Sequence, residues 1–100
     1  MTKLSNNQKK FLRSMGHHLK PVIMVGQHGL SEGVLAELEA TMSKHELIKI
    51  KIRTDDREDK QQMIDQILKF SQSHLVQVVG NPLVIYRPFD DEPQIVLPRK

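Results

Sequence analysis

The residues whose types and spacing best suggest chemistry stand together at Gly26-Gln27-His28-Gly29. They follow an apolar stretch, Val22 to Val25, and precede Ser31, a residue type that caps helix N-termini. Strand, glycine turn and helix N-terminus together bind anions without a charged side chain, because first-turn N–H groups have no intrahelical partners. Glycines permit unusual backbone angles and let a phosphate approach the main chain. No Lys-Ser/Thr follows them, and Gly26, Gly29 and Gly33 do not match G-x-G-x-x-G, so neither a Walker loop nor a dinucleotide fingerprint is present. A phosphodiester backbone is the better-matched anion; a tight turn that simply needs glycine is the alternative. His28 sits at the expected loop tip, where an imidazole would change charge near pH ~6.5.

Other chemistries find less support. The chain has no cysteine, which removes disulfides, thiolate nucleophiles and thiolate zinc sites. His17, His18, His28, His45 and His74 do not form HExxH or a comparable ligand pattern, and no Gly-x-Ser-x-Gly elbow occurs. The acids Asp55, Asp56, Glu58 and Asp59 are read as favourable charge at a helix N-terminus in preference to a metal site. No catalytic residue, metal or cofactor is therefore assigned. With three Phe and one Tyr, and Phe11 and Phe70 falling in expected core stripes, no aromatic platform for stacking bases is expected.

The cations are unevenly spread. The net charge is +3, yet residues 1–31 carry Lys3, Lys9, Lys10, Arg13 and Lys20 with no acid, which is +5. Residues 32–54 balance to zero, and residues 55–100 sum to −2. Such asymmetry suggests a polyanionic partner met by one end of the molecule, or else a solubilising surface.

The surrounding elements must position these groups. Ser5 and Gln8 form a capping-box pattern for a helix reaching about Gly16 or His18. Phe11, Leu12, Met15 and Leu19 form its apolar sector, opposite Lys9, Lys10, Arg13, His17 and Lys20. Lys20-Pro21 ends that helix, and Val22 to Val25 reads as a buried strand. Ser31 opens a second helix with Glu32 at its positive end, Leu30 stapled to Leu35, and a stripe of Val34, Leu35, Leu38 and Met42. Leu47 to Arg53 alternates strictly, with Ile48, Ile50 and Ile52 on one face and Lys49, Lys51 and Arg53 on a wet face. A third helix of about 57–73 follows, with Met63, Ile64, Ile67, Leu68 and either Phe70 or Ser71 inward. Leu75 to Val79 and Leu83 to Arg87 form an antiparallel hairpin through Gly80-Asn81-Pro82. The expected fold is a two-layer α/β domain of order α-β-α-β-α-β-β with a mixed four-stranded sheet. It covers residues 1–88, and a tail, 89–100, packs on or extends from it as an edge strand or a cover over the core. No apolar run exceeds four residues, which predicts no membrane span or signal peptide and a cytoplasmic location.

Three stretches carry a resemblance: LKPVIMVGQHGLSEGV at 19–34, HELIKIKI at 45–52 and VVGNPLVIYRP at 78–88. Together they resemble the CRM domain, in its bacterial stand-alone YhbY-type form. The resemblance implies an RNA-binding domain with a fold similar to the C-terminal domain of translation initiation factor three. It also implies a link to precursors of the large ribosomal subunit, and it maps the family's RNA-binding loop onto Gly26, Gln27, His28 and Gly29. Many members carry basic residues between those glycines. Here Gln27 and His28 shift the electrostatic burden to helix one and to Lys49, Lys51 and Arg53.

The expectation is a monomeric, non-enzymatic RNA-binding assembly factor. Gly26 to Gly29 would clasp backbone, and Lys9, Lys10, Arg13, Lys20, Lys49, Lys51 and Arg53 would neutralise phosphates. Binding a small phosphorylated metabolite at the helix N-terminus, or recruiting other assembly proteins, are the alternatives.

Overall fold

Among the described residues, seven elements form in the expected order: α1 (Asn6–Gly16), β1 (Ile23–Val25), α2 (Glu32–Met42), β2 (Leu47–Ile52), α3 (Arg57–Ser71), β3 (His74–Val78) and β4 (Pro82–Tyr86). The computed structural model describes residues 3–26 and 29–99. The strands form one sheet in the order β1-β2-β4-β3. β1 and β2 run parallel through the α2 crossover, whereas β4 is antiparallel to both β2 and β3, so the sheet is mixed.

The local signals act where the residue types place them. Ser5 accepts from the Gln8 N–H, and Gln8 accepts in return from the Ser5 N–H, completing the capping box. Ser31 caps α2 through the Val34 N–H. Asp56 caps α3 through the N–H groups of Glu58 and Asp59, so the acid run stands as an N-cap followed by a charged first turn. Gln72, in the left-handed region, ends that helix at φ 52°.

The layering differs from the two-layer expectation, because the sheet is covered on both faces. Ile23, Val25, Ile48, Ile50, Ile52, Leu83 and Ile85 face α2 and α3, meeting Leu38, Met42, Met63, Ile64 and Ile67. On the other face Leu47, Val76, Val84 and Tyr86 pack under α1, against Leu4 and Leu12. The alternation of β2 hid this second core: Leu47 shares a face with Lys49 and Lys51, so that face is apolar at one end and basic at the other. Among the described residues after Tyr86, 87–99, none lies in a strand. Ile95 and Leu97 pack beside α1 instead, and the Gln8 side-chain amide donates to the Pro98 carbonyl at 2.9 Å.

Two expected core positions move outward. Phe11 and Met15 are 37% and 38% exposed, while Leu12 and Gly16 are buried. Gly16 turns the helix this way: lacking a Cβ, its backbone settles onto Val84, where an added Cβ would stand 2.9 Å from Cγ1. Of Phe70 and Ser71, it is Ser71 that is buried, donating to the Ile67 carbonyl at 2.7 Å, whereas Phe70 is 46% exposed. The premise that Phe11 and Phe70 are locked in the core is thus corrected.

Replacing Gly16 by Ala is expected to destabilise the fold by about 1–3 kcal/mol, because β-branched Val84 has little rotamer freedom to yield. Urea unfolding measures it. Val84→Ala should cost less in the Gly16→Ala background than in the wild type, and strict additivity of the two would show that the contact is not limiting.

Candidate nucleic-acid interface

Strand register divides the α1 side of the sheet into rows. Val22 donates its N–H to the Lys49 carbonyl, Lys49 stands opposite Val84, and Val84 opposite Gln77. The next row outward is Met24, Lys51 and Pro82, with Val79 bonded to the Pro82 carbonyl. The row on the other side is Leu47, Tyr86 and His74. α1 and the tail cover Leu47 and Tyr86. Beyond Gly16 the helix stops, so the Lys51 row and the Lys49 part of its neighbour open to solvent, while Val84 stays buried beneath Gly16.

The glycine loop stands at the open end of these rows. Gly26 directly follows β1, and the Gly29 N–H donates to the Gly26 carbonyl at 3.1 Å. Gly29 has φ +83°, a conformation that needs glycine, and its absent Cβ would lie 3.8 Å from Met63 Cε. Gly26 is a different case: a Cβ there meets nothing within 4 Å, so its requirement is not steric within the fold. The Arg53 N–H donates to the Val25 carbonyl at 2.8 Å, which fixes Arg53 beside the loop's entry. Gln27 and His28, both expected in the site, lie outside the described residues.

The structure therefore brings together Gly26, Gly29, Lys49, Lys51 and Arg53, with the exposed His17 and Lys20 on the connection from α1 to β1. It separates others. Lys10 lies about 160° round the helix from Leu12 and faces away from the sheet. Lys9 lies toward the β3 end, where its charge is a minor influence on His74, whose pKa is lowered mainly by burial. Arg13, about 100° round from Leu12, lies between these extremes. Missed in the sequence were Met24, Gln77, Val79 and Pro82, which share the open rows with the lysines. Apolar alternation reads as burial unless the layer above is known to end, so the residue types gave no signal of them.

Other anion sites are less suited. A cavity of about 790 Å³ lies at the opposite end of the sheet, where Glu39, Asp90 and Asp91 accompany Arg87. Arg87 is already engaged, pairing with both Glu39 oxygens at 2.9 Å and donating to the Ser71 carbonyl. Its guanidinium hydrogen bonds hold the Glu39 carboxyl below its ordinary range. At the α2 N-terminus the Ser31 hydroxyl accepts from the Val34 N–H, and Glu32 lies in the first turn, so that end meets an anion with part of its field offset. Among the described residues no group of three or more His, Asp or Glu is arranged to hold a metal.

The fold is a small α/β domain whose mixed sheet carries Lys49 and Lys51 on a partly open face, with a glycine loop at one end. The chain belongs to the CRS1/YhbY (CRM) domain family, whose model matches residues 4–87. It is 51% identical over 100 residues, all of both chains, to a Haemophilus influenzae protein named "RNA-binding protein". It is 37% identical over 95 residues to a Bacillus subtilis protein named "Probable RNA-binding protein YqeI", covering 95% of this chain and 99% of that one. The solution structure of a hypothetical protein from Staphylococcus aureus superposes with a TM-score of 0.82 at 32% identity, covering 96% of this chain and 100% of the other.

Proposed function

We propose that this protein is a non-enzymatic RNA-binding factor that acts, as a cytoplasmic monomer, on structured ribosomal RNA in precursors of the large ribosomal subunit. The observation that carries the reading is the coincidence of Lys49, Lys51 and Arg53 with the Gly26–Gly29 loop on one uncovered end of the sheet. The names of the relatives support RNA as the partner, and the family resemblance points toward the ribosome. Gly26 offers backbone that a phosphate can approach, and the lysines neutralise neighbouring phosphates. The acidic first turn of α3 begins just past Arg53 and bounds the site electrostatically.

If about four to six phosphates are neutralised, affinity should fall with salt at a log–log slope of about −4 to −5, or roughly 250- to 1,000-fold between about 50 and 200 mM. Crosslinking in cells followed by sequencing should recover one region of large-subunit ribosomal RNA. A salt-insensitive interaction, or stabilisation by a mononucleotide with no RNA affinity, would favour the small-metabolite reading instead. Gly26→Val supplies a separate check: it should leave thermal stability nearly unchanged, since an added Cβ meets nothing within 4 Å, and weaken RNA binding at least about ten-fold by obstructing the approach to the backbone.

A further inference from the structure

The open rows are not flat. Where α1 ends, a cavity of about 360 Å³ lies between its last turn and the sheet, with Gly16, Gln77, Val79, Pro82 and Val84 for walls and Lys49 and His17 at its edge. Its volume is at the small end of ligand pockets, far too small for a duplex and ample for one planar heterocycle. Resting on the RNA-binding reading above, we propose that this cavity receives a single unpaired nucleobase of the bound RNA, while the flanking phosphates lie on Lys49 and Lys51.

The walls suit that occupant. A nucleobase has two apolar faces and a polar edge, and it is read in RNA where it is unstacked and free to enter a pocket. Val84 and Val79 present methyl groups, Pro82 a ring, and Gly16 bare backbone, so the faces of a base meet apolar surface without an aromatic platform. Gln77 adds a side-chain amide that both donates and accepts, the pairing that a base edge requires. The exposure of Val79, at 58%, fits a residue that an occupant would cover.

The surrounding charge selects a nucleotide over an apolar peptide side chain. Lys49 and Lys51 are two residues apart on one face of β2, with Cα atoms about 6.7 Å apart, a spacing commensurate with successive phosphates of one strand. Lys51 stands in register with Pro82, so the cation next to the cavity and the cavity's wall belong to the same sheet row. A base seated there places its own backbone across both ammonium groups and directs the strand toward Arg53 and Gly26.

The test uses the full chain and three RNA hairpins of one sequence: fully paired, carrying a single-nucleotide bulge, and carrying the same bulge without its base. The proposal predicts that the intact bulge binds at least ten-fold more tightly than the abasic bulge. In Gln77→Ala/Val79→Ser this preference, read as the ratio of the two affinities measured on the same variant, should fall below about three-fold. Equal affinity of the wild-type protein for intact and abasic bulges would overturn the base site and leave RNA binding standing. A preference that survives the double substitution would also overturn it, by placing the base elsewhere. Failure of all three hairpins to bind in low salt would overturn the RNA reading itself, and the base site with it.

Discussion

Exchanging both Lys49 and Lys51 for glutamate should weaken binding to structured RNA by more than 100-fold at about 0.1 M salt. Each phosphate neutralised contributes a factor that scales as about the 0.9 power of salt concentration, or roughly eight-fold per contact under those conditions. Losing two contacts removes about 60-fold, and placing two carboxylates against the phosphates adds repulsion to the loss. The magnitude of the salt slope should drop by about 2. Folding should be retained, since both side chains are only half-buried and project from the uncovered part of the sheet face. The matching control exchanges Lys44 and Lys69, two exposed cations away from these rows, for glutamate at the same change in net charge. That pair should alter affinity less than about three-fold. Equal losses from the two pairs would mean that RNA responds to total charge and not to this face.

The second large effect concerns stability. Glu46 is 4% exposed, and its carboxylate accepts three backbone N–H groups of the tail: Phe89 at 2.7 Å, Gln94 at 2.8 Å and Ile95 at 2.7 Å. One side chain thereby holds the path of the chain after β4 against the start of β2, with Ile95 packed beside α1. Glu46→Ala leaves those N–H groups without an acceptor in a partly buried place, which should cost about 3–5 kcal/mol. For a chain of this size that is a loss of roughly 15–30 °C in melting temperature. Glu46→Gln should fall between, because one oxygen can still serve Gln94 and Ile95 while its NH₂ group opposes the Phe89 N–H. Urea unfolding gives the energies, and amide exchange at 89, 94 and 95 shows whether the tail detaches first. An Ala variant within about 1 kcal/mol of the wild type would show that the tail is held by packing alone.

Element order and the helix starts were legible because they rest on local chemistry: Ser5 with Gln8, Ser31 and Asp56 each act within four residues of themselves. The alternation of Ile48, Ile50 and Ile52 likewise announced a strand and its inner face. What was not legible depends on distant chain. Gly16 has no hydropathy to contribute to a helical stripe, yet its contact with Val84 decides which side of α1 is buried. Phe11 and Met15 were placed inside by hydropathy and stand outside for that reason. Glu46 reads as one more acid in a mixed-charge stretch, and only contacts more than 40 residues away bury it. In the candidate site the loop glycines, Lys49, Lys51 and Arg53 were visible as types and spacings. The apolar half of the face, with Met24, Val79 and Pro82, was hidden because its exposure follows from where α1 ends.

The most direct test of which surface meets RNA is an amide chemical-shift titration of the whole protein with a structured RNA hairpin. The account predicts that the largest changes fall on His17, Gly26, Gly29, Lys49, Lys51, Arg53 and Gln77, and that Glu37, Gln66 and Phe70 on α2 and α3 hardly move. Changes concentrated around Leu35, Gln66 and Phe70, with the α1-side rows silent, would contradict it.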